Sequence, residues 1–366
     1  MSSISVHGID TPAFLVDLPT LRANIDRIAR SAADAGLQLR PHIKAHKTPQ
    51  IARLQLAAGA VGVTAAKVGE AEAMVEAGIG DVFIANEIVG EPKVRRLAAL
   101  RERTRLCVAC DSVRVAQGYA EVFADPADPL EVILEIDIGA RRCGVPPESA
   151  AELAAAVARF AGLRIVGIMG YAPMTYGVNT NAEREPLVAA EGRLLSQVAA
   201  ELASEGHAMT RISGGCTPGA TLYRAGCGLT EIRPGTYVFY DMNQVDLGVI
   251  GVESVSATIL ATVISTSASG RAVLDAGSKA LATQVRPISP GCGFVKGYPG
   301  AVVDVLNDEH GYLSLGNSDL RVAVGDKLEL IPPRVCTALN LYDELHLMEN
   351  GELVETCKVT GRGKSR

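Results

Sequence analysis

Apolar positions along this chain fall into short runs, each bounded by glycine or a polar residue, and between the runs the apolar spacing lengthens to that of an amphipathic helix. Ala13–Val16 is apolar and ends at Asp17, and Pro19 opens a helix over Thr20–Ala35 that Gly36 terminates. Extended runs follow at Leu39–Lys44, Val61–Thr64, Asp81–Ala85, Arg105–Cys110, Leu130–Asp137, Leu163–Met169, Met209–Ser213 and Leu229–Val238. Helical patterns separate most of them, as at Gly69–Ala77, Pro92–Leu100, Ser149–Phe160 and Asn181–Ser204. Strands alternating with helices in this way predict an α/β fold closed into a (β/α)8 TIM-like barrel. An open doubly wound sheet would carry a glycine-rich phosphate turn after its first strand, and none stands there.

Beyond Gly248 the texture changes. Val252–Ser265, Arg271–Asp275, Ala301–Val305, Tyr312–Leu315, Lys327–Ile331 and Glu344–Met348 read as short strands. Turns such as Glu309-His310-Gly311, Val324-Gly325-Asp326 and Glu349-Asn350-Gly351 separate them. The expected division is a barrel over residues 11–247 and a C-terminal β domain over 248–366 that residues 1–10 join.

Composition narrows the class. The 366 residues are 48% hydrophobic and 21% charged, enough to bury a large interior. A net charge of −6 offers no basic face for nucleic acid. No apolar run approaches the ~20 residues that span a bilayer, and Met1–Asp10 has neither the basic start nor the apolar stretch of a signal peptide. Of the eight cysteines, Cys107 and Cys110 form a C-x-x-C with no second pair to complete a zinc cage, so buried thiols are expected. A cytoplasmic protein with reduced cysteines follows as the expectation. The Arg362–Arg366 tail reads as a solvated end.

In a barrel, chemistry collects at the carboxyl ends of the strands. Reading those ends in turn gives Lys44 and His46, Lys67, Asn86, Asp137 with Arg141 and Arg142, Tyr171, Ser213-Gly214-Gly215, and Arg233-Pro234-Gly235-Thr236-Tyr237. A strand-end lysine beside groups that hold protons is placed to form a Schiff base, with a solvated basic turn as the competing reading. Glycines and hydroxyls at the last two ends suit a phosphate held on backbone N–H groups, or else tight packing alone. Lysine and phosphate cradle together suggest pyridoxal 5'-phosphate.

Three stretches make a resemblance specific: Arg40-Pro41-His42-Ile43-Lys44-Ala45-His46-Lys47, Glu135-Ile136-Asp137-Ile138-Gly139-Ala140-Arg141-Arg142-Cys143-Gly144 and Arg233-Pro234-Gly235-Thr236-Tyr237-Val238-Phe239. Asp275-Ala276-Gly277-Ser278-Lys279-Ala280, Asp308-Glu309-His310-Gly311, Pro332-Pro333 and Asn340-Leu341-Tyr342-Asp343 extend it. The chain resembles the fold-type III pyridoxal-phosphate enzymes with an alanine-racemase-like barrel, within them the D-threonine aldolase and D-serine dehydratase family. The resemblance implies a lyase acting on a β-hydroxy D-amino acid, as a homodimer. It makes Lys44 the Schiff-base lysine and Lys47 an electrostatic neighbour. It sets Arg142 on the cofactor's phenolic oxygen, Tyr171 near its ring, and Arg233 facing its pyridine nitrogen. Ser213, Gly214, Gly215, Gly235 and Thr236 fall in the phosphate-binding stretches. A guanidinium keeps its proton, so the ring nitrogen would stay unprotonated and the cofactor would be a weaker electron sink, suited to racemisation or aldol cleavage.

The chain also departs from that family. The lyases hold a divalent metal with a histidine and a second ligand two residues on, where this sequence has Arg334 and Cys336. Cys336 can ligate a metal, but Arg334 offers no lone pair and repels one. A Glu-Gly-His common after the sixth strand end is also missing, since Ala172-Pro173-Met174 follows Tyr171. His310 is expected to serve as a turn residue. An amino-acid racemase without metal is therefore the alternative, with Lys44 on one face of the substrate, Tyr342, Cys336 or His46 on the other, and Arg334 clamping the carboxylate. A non-catalytic cofactor carrier is a third reading, against which the C-terminal β domain argues.

Overall fold

The first apolar run is a strand, β1 (Ala13–Asp17), and the helix after it is α1 (Leu18–Asp34). The computed structural model describes residues 4–267, 270–283 and 291–366. It divides into a barrel unit, Asp26–Gly235 with Gly363–Arg366, and a β unit, Met1–Ile25 with Thr236–Arg362.

The barrel unit holds eight parallel strands: β2 (Gln38–Leu39), β3 (Val63–Ala65), β4 (Asp81–Glu87), β5 (Arg105–Cys110), β6 (Leu130–Glu135), β7 (Leu163–Met169), β8 (Arg211–Gly214) and β9 (Glu231–Ile232). They hydrogen-bond in the order β2-β9-β8-β7-β6-β5-β4-β3. The His42–Thr64 bridge and the Val61 N–H to the Leu39 carbonyl join the two ends of this order into a barrel. Helices α2 (Pro49–Ala57), α3 (Val68–Glu76), α4 (Glu91–Arg101), α5 (Val113–Ala120), α6 (Ala150–Val157) and α7 (Asn181–Ser204) alternate with the strands. Local chemistry sets their starts. Thr180 and Glu183 form a reciprocal capping box that opens α7, and Ser112 caps α5. Phe83, Cys107, Ala109, Ile133, Val166 and Met169 form one buried cluster of this unit.

The β unit holds β1 and eight later strands: β10 (Ala257–Ser265), β11 (Arg271–Leu274), β12 (Gly293–Val295), β13 (Val302–Leu306), β14 (Gly311–Ser314), β15 (Lys327–Ile331), β16 (Glu344–Glu349) and β17 (Glu352–Lys358). Their order is β11-β14-β13-β12-β15-β10-β1-β16-β17, and an extra β10–β11 pairing closes six of them on themselves. Short helices α8 (Met242–Asp246), α9 (Ser278–Leu281) and α10 (Val335–Leu339) interrupt the strands. Ile9, Ala13, Leu15, Leu260 and Met348 form a buried cluster within it.

Several expected boundaries shift. The run Leu229–Val238 is laddered only at β9, because Pro234 has no N–H to give, and Thr236–Val238 turns into a 3-10 helix. Likewise Leu39–Lys44 leaves its ladder early and coils into a 3-10 turn at Ile43–Ala45. Val252–Ser254 is a 3-10 turn ahead of β10. The strands β12 and β17 were not anticipated: β12 is three residues long, and β17 is mostly exposed and rich in glutamate, so neither shows a clear alternation. The tail side chains are exposed as expected, yet the Arg366 carbonyl accepts from Gly69 N–H and Arg96 Nη2. Among the described residues no helix is long and apolar enough to cross a membrane.

Candidate active site at the carboxyl ends of the barrel strands

Lys44 lies in the 3-10 turn that follows β2, and it is exposed while Pro41, His42, Ile43, Ala45 and His46 are buried. His42 caps that turn by accepting from the Lys44 N–H at 3.5 Å. Burial, and then the charges of Lys44 and Arg233, hold the His42 imidazole well below its ordinary value. His46 is fully buried, with Nδ1 meeting the Thr48 backbone at 3.1 Å and Nε2 meeting Gln55 Oε1 at 3.1 Å. Burial pushes its imidazole down to about 4. Lys47 pairs with Glu70 at 3.3 Å. The two lysines thus differ in setting: Lys44 is exposed, and Lys47 is half-buried against the buried Glu70.

The ends of β8 and β9 are organised by buried carboxylates. Glu191, on α7, accepts from Gly215 N–H at 2.9 Å and from the Tyr223 hydroxyl at 2.6 Å. A β-carbon on Gly214 would stand 2.8 Å from Glu191 Oε1, and Gly215 has φ +79°, so this turn requires glycine twice. Glu231, at the start of β9, accepts from Arg40 Nε at 2.7 Å, from Arg211 Nη2 at 3.2 Å and from Ser213 Oγ at 2.6 Å. Burial raises its pKa, but the Arg40 and Arg211 charges more than reverse this and hold the carboxylate below its ordinary range. Arg233 donates to the Ser213 hydroxyl and, at 3.0 Å, to the Gly170 carbonyl. Ser213 therefore faces the barrel's buried ion pairs, and its hydroxyl has both partners there.

A second cluster forms at the ends of β4 to β7. Chain residues 137–144 leave β6 and return at Val145, whose N–H donates to the Glu135 carbonyl. That excursion sets Arg142 over the Tyr171 ring, 5.1 Å from its centroid, and 3.8 Å from Glu135. It also brings Cys143 to Glu87 and Asp111, with ligand atoms of all three within 4.8 Å of one another. Burial and the adjacent Glu87 raise the Glu135 carboxyl to about 8. Sequence spacing could not assemble Glu87, Asp111, Glu135 and Cys143, which come from three strand ends and a loop. Cys107 and Cys110 are buried thiols of β5, as the sequence suggested, each pushed up to about 12 by burial.

The remaining candidates belong to the β unit. Thr236 Oγ1 lies 3.7 Å from Cys336 Sγ. Arg334 is the residue before α10, and Asp241 accepts from the next N–H, that of Val335, at 3.0 Å. The Tyr342 ring meets Phe14 edge-on at 5.6 Å, and its buried hydroxyl has no hydrogen-bond partner among the described residues. Among those residues Glu87, Asp111 and Cys143 are the one set of three potential metal donors, so Cys336 belongs to none.

A lysine on the exit of the first barrel strand, glycine turns on the last two strands and an appended β unit define an alanine-racemase-like class. The model described as "Alanine racemase, N-terminal domain" matches residues 16–243, and "Putative serine dehydratase domain" matches residues 256–348. The chain belongs to the family that joins these two domains. It is 32% identical to a D-threonine aldolase of an Arthrobacter species, covering 98% of this chain and 94% of that one. It is also 32% identical to the D-threo-3-hydroxyaspartate dehydratase of Delftia sp. strain HT23, covering 90% and 91%. The crystal structure of D-threonine aldolase from Filomicrobium marinum superposes with a TM-score of 0.89 at 34% identity, over 99% of this chain and 98% of that one.

Proposed function

We propose that this protein is a pyridoxal 5'-phosphate-dependent lyase that cleaves or dehydrates a β-hydroxy D-amino acid. The observation that carries the proposal is the exposure of Lys44 within a buried turn at a strand's carboxyl end. Relatives on both sides of the aldolase and dehydratase division support the reaction class.

The residues fit the cofactor. A β-carbon on Gly235 would stand 2.8 Å from the His42 carbonyl, so only glycine lets the β9 exit lie against the lysine turn. When bound, the cofactor supplies an aldehyde that takes an amine and a ring that draws electrons from Cα. Lys44 would hold the aldehyde carbon and, once displaced by substrate, carry a proton. The phosphate is assigned to the Gly235 and Thr236 amides, because the Gly215 amide is committed to Glu191. Gly214 then shapes the turn. Arg142, held over the Tyr171 ring, is assigned to the phenolic oxygen, and Arg233 to the ring nitrogen. His46 is assigned to holding the lysine turn, since both its nitrogens are engaged there. Tyr342 is the candidate for the second proton-handling group, and Arg334 for the substrate carboxylate.

The residues at 334 and 336 do not fit the family's histidine-containing metal site. A guanidinium has no lone pair to give, and Cys336 lacks two further donors nearby among the described residues. That same departure favours a second reading, a racemase that moves only the α-proton. The resemblance further implies a homodimer, which light scattering tests.

Incubation of the holoenzyme with D-threonine, D-serine and D-alanine, with and without chelator, separates the outcomes. Glycine with an aldehyde identifies an aldolase, and an oxo acid with ammonia identifies a dehydratase. Solvent deuterium at Cα without new products identifies a racemase. A Lys44→Ala protein that still shows the cofactor's lysine-bound visible band would overturn the anchor assignment.

A further inference from the structure

We propose that Ser213 and Glu231 are positioning residues that orient the guanidinium of Arg233 toward the cofactor ring nitrogen. The inference rests on the cofactor reading above and adds the means by which this chain aims that arginine.

The polarity of the contacts allows one arrangement. A guanidinium can only donate and a carboxylate can only accept, whereas a hydroxyl has a single proton. Ser213 Oγ lies 2.6 Å from Glu231 Oε1 and also meets Arg233 Nη1. The serine proton is therefore spent on Glu231, and the serine lone pair faces Arg233. Glu231 forms its ion pairs with Arg40 and Arg211 and reaches Arg233 through this hydroxyl. The contacts thus run in a fixed order: Arg40 and Arg211 hold Glu231, Glu231 orients the Ser213 hydroxyl, and Ser213 accepts from Nη1 of Arg233.

Two further contacts complete the clamp. Arg233 Nη2 donates to the Gly170 carbonyl, and its guanidinium carbon lies 5.8 Å from the centre of the Phe83 ring. The Arg211 guanidinium carbon lies 5.3 Å from that same centre. Phe83 is fully buried and serves as the apolar wall beside both cations. Glu231 and Ser213 are also fully buried, so water does not substitute for either contact. Removing the serine hydroxyl leaves one guanidinium donor without its partner and lets the plane of the cation rotate.

The test compares Ser213→Ala with Ser213→Thr in the full-length protein reconstituted with pyridoxal 5'-phosphate. Alanine removes the hydroxyl, whereas threonine keeps it and adds a methyl group. The expected results for Ser213→Ala are a displaced visible absorption band of the bound cofactor and a kcat lower by about tenfold, with KM within about twofold, the loss of one hydrogen bond to a charged group. Ser213→Thr is expected to keep the native band and kcat even where its Tm falls. An alanine variant with native band and native kcat would overturn the proposal, whatever its Tm. So would a threonine variant that behaves like the alanine one, since packing and not the hydroxyl would then be responsible. Neither result bears on Lys44, whose own variant tests the cofactor reading separately.

Discussion

The carbonyl oxygen of His42 and the α-carbon of Gly235 are so close that a β-carbon on residue 235 would stand 2.8 Å from that oxygen. His42 N–H also donates to the Pro234 carbonyl at 2.9 Å, so the lysine turn and the β9 exit are joined across the barrel's parallel seam. Gly235→Ala is expected to push the two apart. Cofactor affinity should fall by about tenfold or more, a loss of about 1.4 kcal/mol, measured by titrating apoprotein with pyridoxal 5'-phosphate.

The two lysines of the stretch should separate cleanly. Lys44→Ala is expected to abolish the lysine-bound visible band with little change in Tm, because the side chain is exposed. Lys47→Ala is expected to keep the band but destabilise the fold by about 3 kcal/mol, since it leaves the buried Glu70 carboxylate without its cation. Absorbance and thermal denaturation of the two variants side by side check both outcomes.

Stability should fall as pH rises through the window of Glu135. Its carboxyl ordinarily titrates near 4.5 and is raised to about 8 in the folded chain by burial and by Glu87. Between these values the folded state holds a proton that the unfolded state has released, so raising pH favours unfolding, and the effect levels off above about 8. Glu135→Gln removes this titration. Its Tm should be flatter than that of the parent across the window, in scans at fixed ionic strength.

Tyr342→Phe tests the proposed proton-handling role against the cost of a buried hydroxyl. A buried hydroxyl with no partner among the described residues costs about 1–3 kcal/mol. Tyr342→Phe should therefore raise Tm or leave it unchanged. If the hydroxyl handles a substrate proton, the same variant should lose kcat by about a hundredfold or more. A variant that is both stable and fully active would remove Tyr342 from the mechanism.

Arg334→His is expected to restore a histidine two residues before Cys336. Product formation should then respond to added zinc or manganese and to chelator, where the parent should not. Isothermal titration with the metal alone reports binding independently of turnover.

The barrel was legible because its strands are buried on both faces and read as unbroken apolar runs. Arg105–Cys110 and Leu163–Met169 have the expected limits. The place of Lys44, in a basic stretch just past a strand end, was legible too, though that stretch alone also read as a solvated turn. Glu231 and Glu191 were not legible. One follows a threonine in an apolar run and the other sits mid-helix, and neither shows in sequence which arginine, amide or hydroxyl it will meet. Their partners come from β8, the β2 exit and the β8–β9 loop, and only the barrel's closure brings these together. Ser213 was expected beside a phosphate for the same reason, because spacing reports position along a strand but not the face on which the hydroxyl finds its partners.

The strand that delivers the lysine is two residues long. Single backbone bonds carry the segment on past so short a ladder, His42 N–H to the Pro234 carbonyl and Thr64 N–H to the Pro41 carbonyl, and Arg40, anchored to Glu231 and to Asp81, ties the same segment into the buried ion pairs. The Arg40–Lys47 segment is consequently not a portable module. Grafted into another barrel without acids in those two places, it would carry a lysine with no fixed address.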